Sequence, residues 1–251
     1  MPNPPIITLT TDMAGGTYYL AALKASIYAV AGDARLIDVS NEIASFSVRQ
    51  AAFVLESAYR FFPKETIHIV HVNASESRGR LLIAKAYDQY FILFDNGVGP
   101  LLFEQIGVEY FEIDTPKETG VLYLESIKLA LQTILSGSGL VQATKPNTVV
   151  LRTNPVGRPG YIQGHYLFFD SFHNAITNIS KPFFEQYIKD SFTILIGSQE
   201  LTKISRHYSD VPMGELVAFF NQDNLLEIAV NQGKANFLLG LKLQSAIIIH
   251  E

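Results

Sequence analysis

The sequence contains no cysteine, and its other absences narrow the possible functions before any motif is considered. Without cysteine the chain has no disulfide, no thiolate nucleophile and no zinc–thiolate site. It has no block of basic residues and a net charge of -5, which disfavours nucleic acid as the main partner. No apolar run is long enough to span a bilayer, and the start, MPNPP, lacks the features of a secretory signal. These absences predict a cytoplasmic protein with neither membrane nor nucleic-acid partners.

What the chain does have is the composition of a globular enzyme, with 251 residues, 48% hydrophobic and 17% charged. In the first part, strand-like runs alternate with helical patterns that start after Thr17, at Ser47 and near Leu122. This alternation predicts a mostly parallel sheet flanked by helices. Short strand-like runs follow a segment rich in proline and glycine at 145–160, and they predict an antiparallel, barrel-like β domain. The predicted fold class is therefore α/β, with an N-terminal domain over 1–150 and a C-terminal β domain over 158–251.

The first strand-like run, residues 6–10, is followed by an acid, a small turn and a helix. Asp12 is the acid, the turn contains Gly15 and Gly16, and Gly32 is the predicted stop of the helix. Ligands bind outside the carboxyl ends of such strands, where an acid can accept both hydroxyls of a ribose. Asp12 could instead simply cap the turn, and this stretch alone favours that role. The glycine spacing is not that of a dinucleotide-binding GxGxxG motif.

Several motifs occur in a fixed order along almost the whole chain: TTD with YLAALK, DVSNEI, SVRQAAFVL, DNG, DSFHNAITNI, GELVAFFN and LLEIAVNQGKANFLLGL. In this order they resemble the S-adenosylmethionine hydroxide adenosyltransferase family, the hydrolase relatives of fluorinating and chlorinating enzymes. The resemblance implies a homotrimer, with the ligand between the N-terminal domain of one subunit and the C-terminal domain of its neighbour. It also implies attack of water on the ribose C5′ of S-adenosylmethionine, giving adenosine and methionine. The sulfonium is already an activated leaving group, so neither a metal nor a separate cofactor is expected.

The resemblance places the family's catalytic Asp, Arg and His at Asn73, Arg80 and Tyr123, so two of the three residues have changed. Asn73 can hold a water molecule but cannot take its proton. The phenol of Tyr123 is a poor base at neutral pH. Arg80 can stabilise hydroxide electrostatically but accepts no proton. The sequence therefore predicts a site whose water-activating group is altered.

Two residues could replace the missing base. His71 lies two residues before Asn73 and would face the same side of a strand, although a buried structural histidine is the alternative that we favour. Glu76 lies in the following loop, where a solvated surface acid is the favoured alternative. His68 should face the opposite side and is given no role.

Ligand-holding positions are kept better than catalytic ones. The resemblance implies that Asp12 binds the ribose diol, which reverses the interpretation from the first stretch alone. It implies contacts to the methionine and base ends from Asp170 and Asn174, and it brings Asn221 near the amino-acid tail. The resemblance also implies that the backbone of the segment Glu227-Ile228-Ala229 faces adenine. The remaining candidate substrate contacts are Asp95, Asn96 and Phe172, although core packing is the preferred interpretation of Phe172, Phe219 and Phe220.

Two functions stay open at this point. One is a hydrolase of S-adenosylmethionine with an altered water-activating group. The other is a catalytically impaired trimer that binds a nucleoside or S-adenosylmethionine. The persistence of Asp12 and Arg80 favours the hydrolase-like function.

Overall fold

The computed structural model describes residues 4–77, 80–103, 107–114, 116, 122–140 and 143–251, without the side chains of 76, 77 and 143. The chain divides into two compact units, Met1–Leu151 and Arg152–Glu251. No helix within these described ranges is long and apolar enough to cross a membrane.

The described part of the N-terminal unit alternates strands and helices. In chain order these are β1 (Ile6–Thr11), α1 (Tyr19–Val30), β2 (Arg35–Ser40), α2 (Val48–Tyr59), β3 (Ile67–His71), a 3-10 turn (Ala74–Ser77), β4 (Leu81–Ala86), β5 (Gln89–Phe94), α3 (Val98–Leu102), β6 (Glu109–Glu112), α4 (Leu124–Ser136) and β7 (Ala143–Thr144). The strands form one sheet in the order β2-β1-β3-β5-β4-β6-β7. The pairings from β2 to β5 are parallel, and those from β5 to β7 are antiparallel.

Helices cover both faces of this sheet, because its central strands are apolar on both sides. On one face, α1 and α4 contribute Leu23, Ile27 and Leu131 to the core. On the other face, α2 and α3 contribute Leu55 and Leu101. The central strands of the parallel half are thus buried between two helical layers, whereas the edge strand β2 is partly exposed.

The local capping signals act as predicted, with two corrections. The Ser47 side chain accepts a hydrogen bond from the Gln50 backbone at the start of α2. The Gln50 side chain accepts from Ala44 N at 2.9 Å, so it does not return the bond to Ser47 as a capping box requires. Helix α1 has its C-cap at Ala31, one residue before the predicted stop at Gly32.

The C-terminal unit is built mainly from antiparallel strands. In chain order its elements are β8 (Val156–Arg158), β9 (Tyr161–Phe169), β10 (Ala175–Ser180), α5 (Lys181–Tyr187), β11 (Thr193–Ile196), β12 (Gln199–Leu201), a 3-10 turn (Tyr208–Asp210), β13 (Leu216–Phe220), β14 (Leu225–Val230), α6 (Ala235–Leu238) and β15 (Ala246–His250). The main path runs β12-β11-β15-β9-β10-β14-β13, and β8 pairs with β9. Strands β12 and β13, at the two ends of the path, approach each other, so the sheet is barrel-like around one apolar core. The predicted fold class is confirmed.

His68 is a buried polar residue of β3 that belongs to the fold. Its Nδ1 lies 2.7 Å from Thr8 Oγ1, its Nε2 lies 3.3 Å from Gln89 Oε1, and its ring stacks on Phe91. Burial lowers the pKa of His68 to about 4 although the bond to Gln89 opposes this, so the ring is neutral at pH 7. Its contacts lie on the α2 face of the sheet, so it faces the opposite side from His71, as predicted.

Candidate functional site

Polar residues of three neighbouring parallel strands meet at the carboxyl edge of the N-terminal sheet, where open α/β folds bind ligands. Asp12 follows β1, Asn73 follows β3 and Asn96 follows β5. Asp12 Oδ2 accepts from the backbone N–H of Asn73 at 3.2 Å. Asn96 Nδ2 donates to the carbonyls of Val72 at 2.7 Å and of Asn73 at 3.1 Å. The structure therefore joins Asp12, Asn73 and Asn96 into one group, called here the strand-end cluster.

Asp12 can act both as a cap and as a ligand contact. Its Oδ2 also accepts from the backbone N–H of Phe46 at 3.0 Å, so this single oxygen holds two separate loops. Within the described residues, none donates a hydrogen bond to Oδ1. The two interpretations of Asp12 are thus compatible, because one carboxylate oxygen caps while the other keeps its acceptor capacity.

Asn73 has a left-handed backbone conformation, with φ of 48°. Asparagine, aspartate and histidine tolerate this region better than most residues do. The conformation turns the chain out of β3 into the 3-10 turn, and it points the Asn73 N–H at Asp12. The side chain of Glu76, the second candidate base in this turn, lies outside the described residues.

The turn after β5 requires glycine. Gly97 has φ of 95°, and a Cβ there would lie 2.3 Å from a methyl carbon of Val150. The preceding Asn96 is buried, and its Oδ1 accepts from Val98 N at 3.3 Å. Asn96 therefore holds the turn after β3 and the start of α3 together, and this structural role uses its side-chain hydrogen bonds.

Arg80 lies in an ion-pair network within the N-terminal unit. Its Nε and Nη2 donate to the two oxygens of Glu112 at 2.9 and 2.8 Å, and its Nη1 is hydrogen-bonded to Asp95 Oδ2. Nη2 also donates to Thr144 Oγ1 at 3.2 Å. Asp95 is buried and further accepts from the backbone N–H groups of Asn147 and Thr148, so it too has a structural role.

This network changes the electrostatic role expected of Arg80. Hydrogen bonding to Glu112 and Asp95 raises the pKa of Arg80 although burial opposes this, and the bonds to Arg80 lower the pKa of Glu112. Two carboxylates outweigh the single guanidinium charge. None of the hydrogen-bond partners of Arg80 belongs to the strand-end cluster. Arg80 thus holds β4, β6 and the turn after β5 together, and its predicted action on hydroxide stays a prediction.

His71 and Tyr123 are brought together on the α4 face of the sheet. His71 is buried, and its Nε2 lies 3.0 Å from the carbonyl of Leu122, the residue before Tyr123. Because a carbonyl can only accept, Nε2 carries a proton and is not the basic nitrogen. The Phe94 ring lies 5.0 Å from the His71 ring and 5.2 Å from the Tyr123 ring, centroid to centroid.

The C-terminal unit holds a second polar group. Asp170 Oδ1 accepts from the backbone of Phe172 and Asn174, and Asp170 Oδ2 accepts from Asn174 Nδ2 at 3.0 Å. Asn174 Nδ2 also donates to Tyr208 Oη at 3.3 Å, and that hydroxyl donates to Glu227 Oε1 at 2.7 Å. The structure thus joins two predicted residues to Tyr208 and to the Glu227 side chain, neither of which was given a role from the sequence.

Tyr208 and Glu227 were missed for different reasons. Glu227 is a buried acid in the otherwise apolar strand β14, and that break in the apolar run is a usable signal. Burial raises its pKa, although the bonds from Tyr208 and Asn221 oppose this. Tyr208 lies in a 3-10 turn with no recognisable motif, and burial, together with its bond to Glu227, raises its pKa.

The remaining predicted contacts are placed differently from one another. Phe172 is 74% exposed, so the preferred core-packing interpretation is wrong for it, whereas Phe219 is buried as expected. Phe220, partly buried, packs against the barrel core. Ile228 and Ala229 are fully buried in β14, which pairs with β10 and β13 on its two sides.

Asn221 belongs to the same hydrogen-bonded group as Glu227. Its Nδ2 donates to Glu227 Oε2 at 3.1 Å, and its Oδ1 accepts from the backbone of Asp223 and Leu225. In the part of the chain that the structure describes, no group of three or more His, Asp or Glu side chains could hold a metal ion.

The two units together define a class of protein: a mostly parallel α/β unit joined to an antiparallel, barrel-like β unit. The chain belongs to the S-adenosylmethionine hydroxide adenosyltransferase family, whose N-terminal domain matches residues 7–128 and whose C-terminal domain matches residues 164–248.

Proteins similar to this chain include two curated enzymes and one solved structure. The (R)-S-adenosyl-L-methionine hydrolase of Methanocaldococcus jannaschii is 25% identical, over 94% of this chain and 92% of the relative. The enzyme of the same name from Thermus thermophilus is 24% identical, over 89% and 91%. An uncharacterized conserved protein from Thermotoga maritima has a crystal structure that superposes with a TM-score of 0.86 at 28% identity, covering 98% of this chain and all of that one.

Proposed function

We propose that this protein hydrolyses S-adenosylmethionine to adenosine and methionine. Water oxygen forms a bond to the ribose C5′ while the C5′–S bond breaks, the sulfur keeps the electron pair, and the water releases one proton. Family membership and the two similar hydrolases support the reaction. We place the reaction in the cytoplasm, which stays a prediction from the sequence.

The observation that carries the proposal is the division of work between the two oxygens of Asp12. Oδ2 is used by the loops at Phe46 and Asn73, and Oδ1 accepts from no described residue. A carboxylate oxygen at the end of β1 is suited to accept hydrogen bonds from the hydroxyls of a ribose. The strand-end cluster therefore supports a nucleoside ligand directly, whereas the reaction is inferred through the family.

The Asp12→Asn variant should bind adenosine about 1–3 kcal/mol more weakly than wild type, as calorimetry would measure. The amide oxygen can still accept the two backbone N–H groups, so the loops stay in place. The amide NH₂ then faces the ligand in place of an acceptor, and it cannot accept a hydrogen bond from a ribose hydroxyl.

Asp33→Asn is a matched control, because it removes the same charge from an exposed turn of the same unit. It should leave adenosine affinity unchanged. Equal affinities of wild type and Asp12→Asn would rule out the ribose role of Asp12.

We also propose a homotrimer with inter-subunit ligand sites. Several large apolar side chains are exposed in the single chain, and burying such side chains is the usual driving force for assembly. They include Tyr18, Phe46, Phe172, Phe237 and Leu238. Light scattering should give about three times the chain mass, as a closed cyclic assembly requires. A monomer at micromolar concentration would contradict an inter-subunit site.

A further inference from the structure

Tyr208 and Glu227 form a hydrogen-bonded relay behind Asn174 in the C-terminal unit. The relay runs from Asn174 Nδ2 to Tyr208 Oη at 3.3 Å and from that hydroxyl to Glu227 Oε1 at 2.7 Å. Glu227 and Asn174 are each only 4% exposed. Buried polar groups in such a chain have few alternative partners, so the direction of each bond matters.

The direction of the relay is set at its far end by Asn221. Asn221 Oδ1 accepts from the backbone N–H groups of Asp223 and Leu225, so Asn221 Nδ2 must be the group that donates to Glu227 Oε2. With one carboxylate oxygen accepting from Asn221, the other accepts from Tyr208. The tyrosine hydroxyl donates its only O–H to Glu227, and its oxygen therefore accepts from Asn174.

Asn174 is consequently left with one hydrogen-bonding group. Its Nδ2 donates to Asp170 Oδ2 at 3.0 Å and, on its other side, to Tyr208 and the Glu227 carboxylate, so both amide protons are used. Within the described residues, none donates to its Oδ1. A ligand group that meets the Asn174 side chain must therefore bring a proton of its own.

We infer that Tyr208 and Glu227 are positioning residues that set base specificity by holding Asn174 with its carbonyl oxygen as the only group offered to a ligand. The inference rests on the proposed function, in which the ligand is a nucleoside. A 6-aminopurine carries N–H donors that match this acceptor. A 6-oxopurine presents a second acceptor at the same position and leaves both oxygens without a proton.

The exposed Phe172 ring fits this ligand class. It belongs to the same turn as Asn174, and the turn is fixed because Asp170 Oδ1 accepts from both backbone N–H groups. An exposed aromatic ring beside an oriented acceptor suits a flat heteroaromatic base, which stacks on one and bonds to the other.

The test is calorimetric binding of three nucleosides. Adenosine carries a 6-amino group, inosine carries a 6-oxo group, and purine riboside carries neither. Wild type should bind adenosine about 10- to 100-fold more tightly than inosine, with purine riboside between them. The two relay variants are Glu227→Gln and Tyr208→Phe. Glu215→Gln, which makes the same substitution on an exposed side chain of the same unit, is the matched control.

Glu227→Gln should lower the adenosine-to-inosine ratio at least several-fold. Asn221 already offers its NH₂ to one side of residue 227, so the new amide turns its own NH₂ toward Tyr208. The tyrosine hydroxyl then points at Asn174 and favours the opposite amide orientation, whereas Asp170 Oδ2 still favours the original one, so the ratio falls without vanishing. Tyr208→Phe removes the hydroxyl and should lower the same ratio, and it keeps the test available if Glu227→Gln fails to fold.

The outcomes separate this inference from the proposed function. An unchanged ratio in a folded relay variant, or wild type that binds inosine as well as adenosine, would overturn the inference and leave the nucleoside site standing. Failure of wild type to bind any of the three nucleosides would overturn both. Asp12→Asn should weaken all three ligands alike, since they share the ribose, and Glu215→Gln should change neither affinity nor ratio.

Discussion

Combining Asn73→Asp with Tyr123→His should raise the rate of adenosine release from S-adenosylmethionine by about 10²–10⁴-fold, from a wild-type rate that is slow or undetectable at neutral pH. The double variant restores the acid and the histidine of the family pattern. Both positions have left-handed backbones, with φ of 48° and 47°, which aspartate and histidine tolerate. Chromatographic measurement of adenosine over time gives the rate.

Two groups bear on the question of which residue activates the water. His71 Nε2 carries a proton for the Leu122 carbonyl, and the charge of Arg80 is offset by Asp95 and Glu112. His71 could therefore accept a proton only at Nδ1, and Arg80 accepts none. The gains in rate of the two single variants should not add up, on a logarithmic scale, to the gain of the double variant, because both new groups would act on the same water.

One control and two contrary outcomes complete this test. Adenosine binding by the double variant should equal that of wild type, so that a change in rate reports on chemistry. No gain in rate with binding intact would contradict the account of the altered catalytic residues. Brisk wild-type turnover would also contradict it, and loss of that turnover in His71→Ala would identify His71 as the base.

Removing the guanidinium by Arg80→Ala should lower the free energy of unfolding by about 3–5 kcal/mol, the range found when one partner of a buried ion pair is removed. The Asp95 side chain is only 2% exposed and would lose its main counter-charge. The backbone N–H groups of Asn147 and Thr148 would remain as its hydrogen-bond partners. Urea unfolding monitored by circular dichroism measures the loss.

Two comparisons test the origin of that loss. Arg35→Ala, on the exposed edge strand β2, should change stability by no more than about 0.5 kcal/mol. Adding Asp95→Asn to Arg80→Ala should recover part of the stability, because it removes the buried charge that was left alone. If Arg80→Ala keeps wild-type stability and loses only activity, the result would contradict the structural role and indicate that Arg80 acts in catalysis.

Much of the fold could be predicted because most of its elements carry a local pattern. Strands β13 and β14 lie where the apolar runs indicate, and Ser47 caps α2 as expected. Helix α3 was missed because it is short and almost wholly buried, so it has no polar face to create a helical period. The two- and three-residue strands β7, β8 and β12 are too short to show any alternation.

The site could be predicted only in part, because contacts between distant residues are not visible in a sequence. The resemblance indicated Arg80, but its pairing with Glu112, 32 residues later, depends on the β4–β6 ladder. Hydrophobicity suggested that Phe172 is buried, yet the turn capped by Asp170 directs it outward. The role of Tyr208 depends on its hydrogen bond to Glu227, which lies on another element.

The double use of Asp12 Oδ2 has a consequence for the cost of ligand capture. The loops at Phe46 and Asn73 are tied to the end of β1 by this one oxygen, through contacts within the chain itself. A nucleoside that reaches Oδ1 meets a receptor that is preorganised, so this part of the site does not have to lose conformational entropy at the moment of binding. Affinity here should depend on the fit of the ribose more than on loop closure.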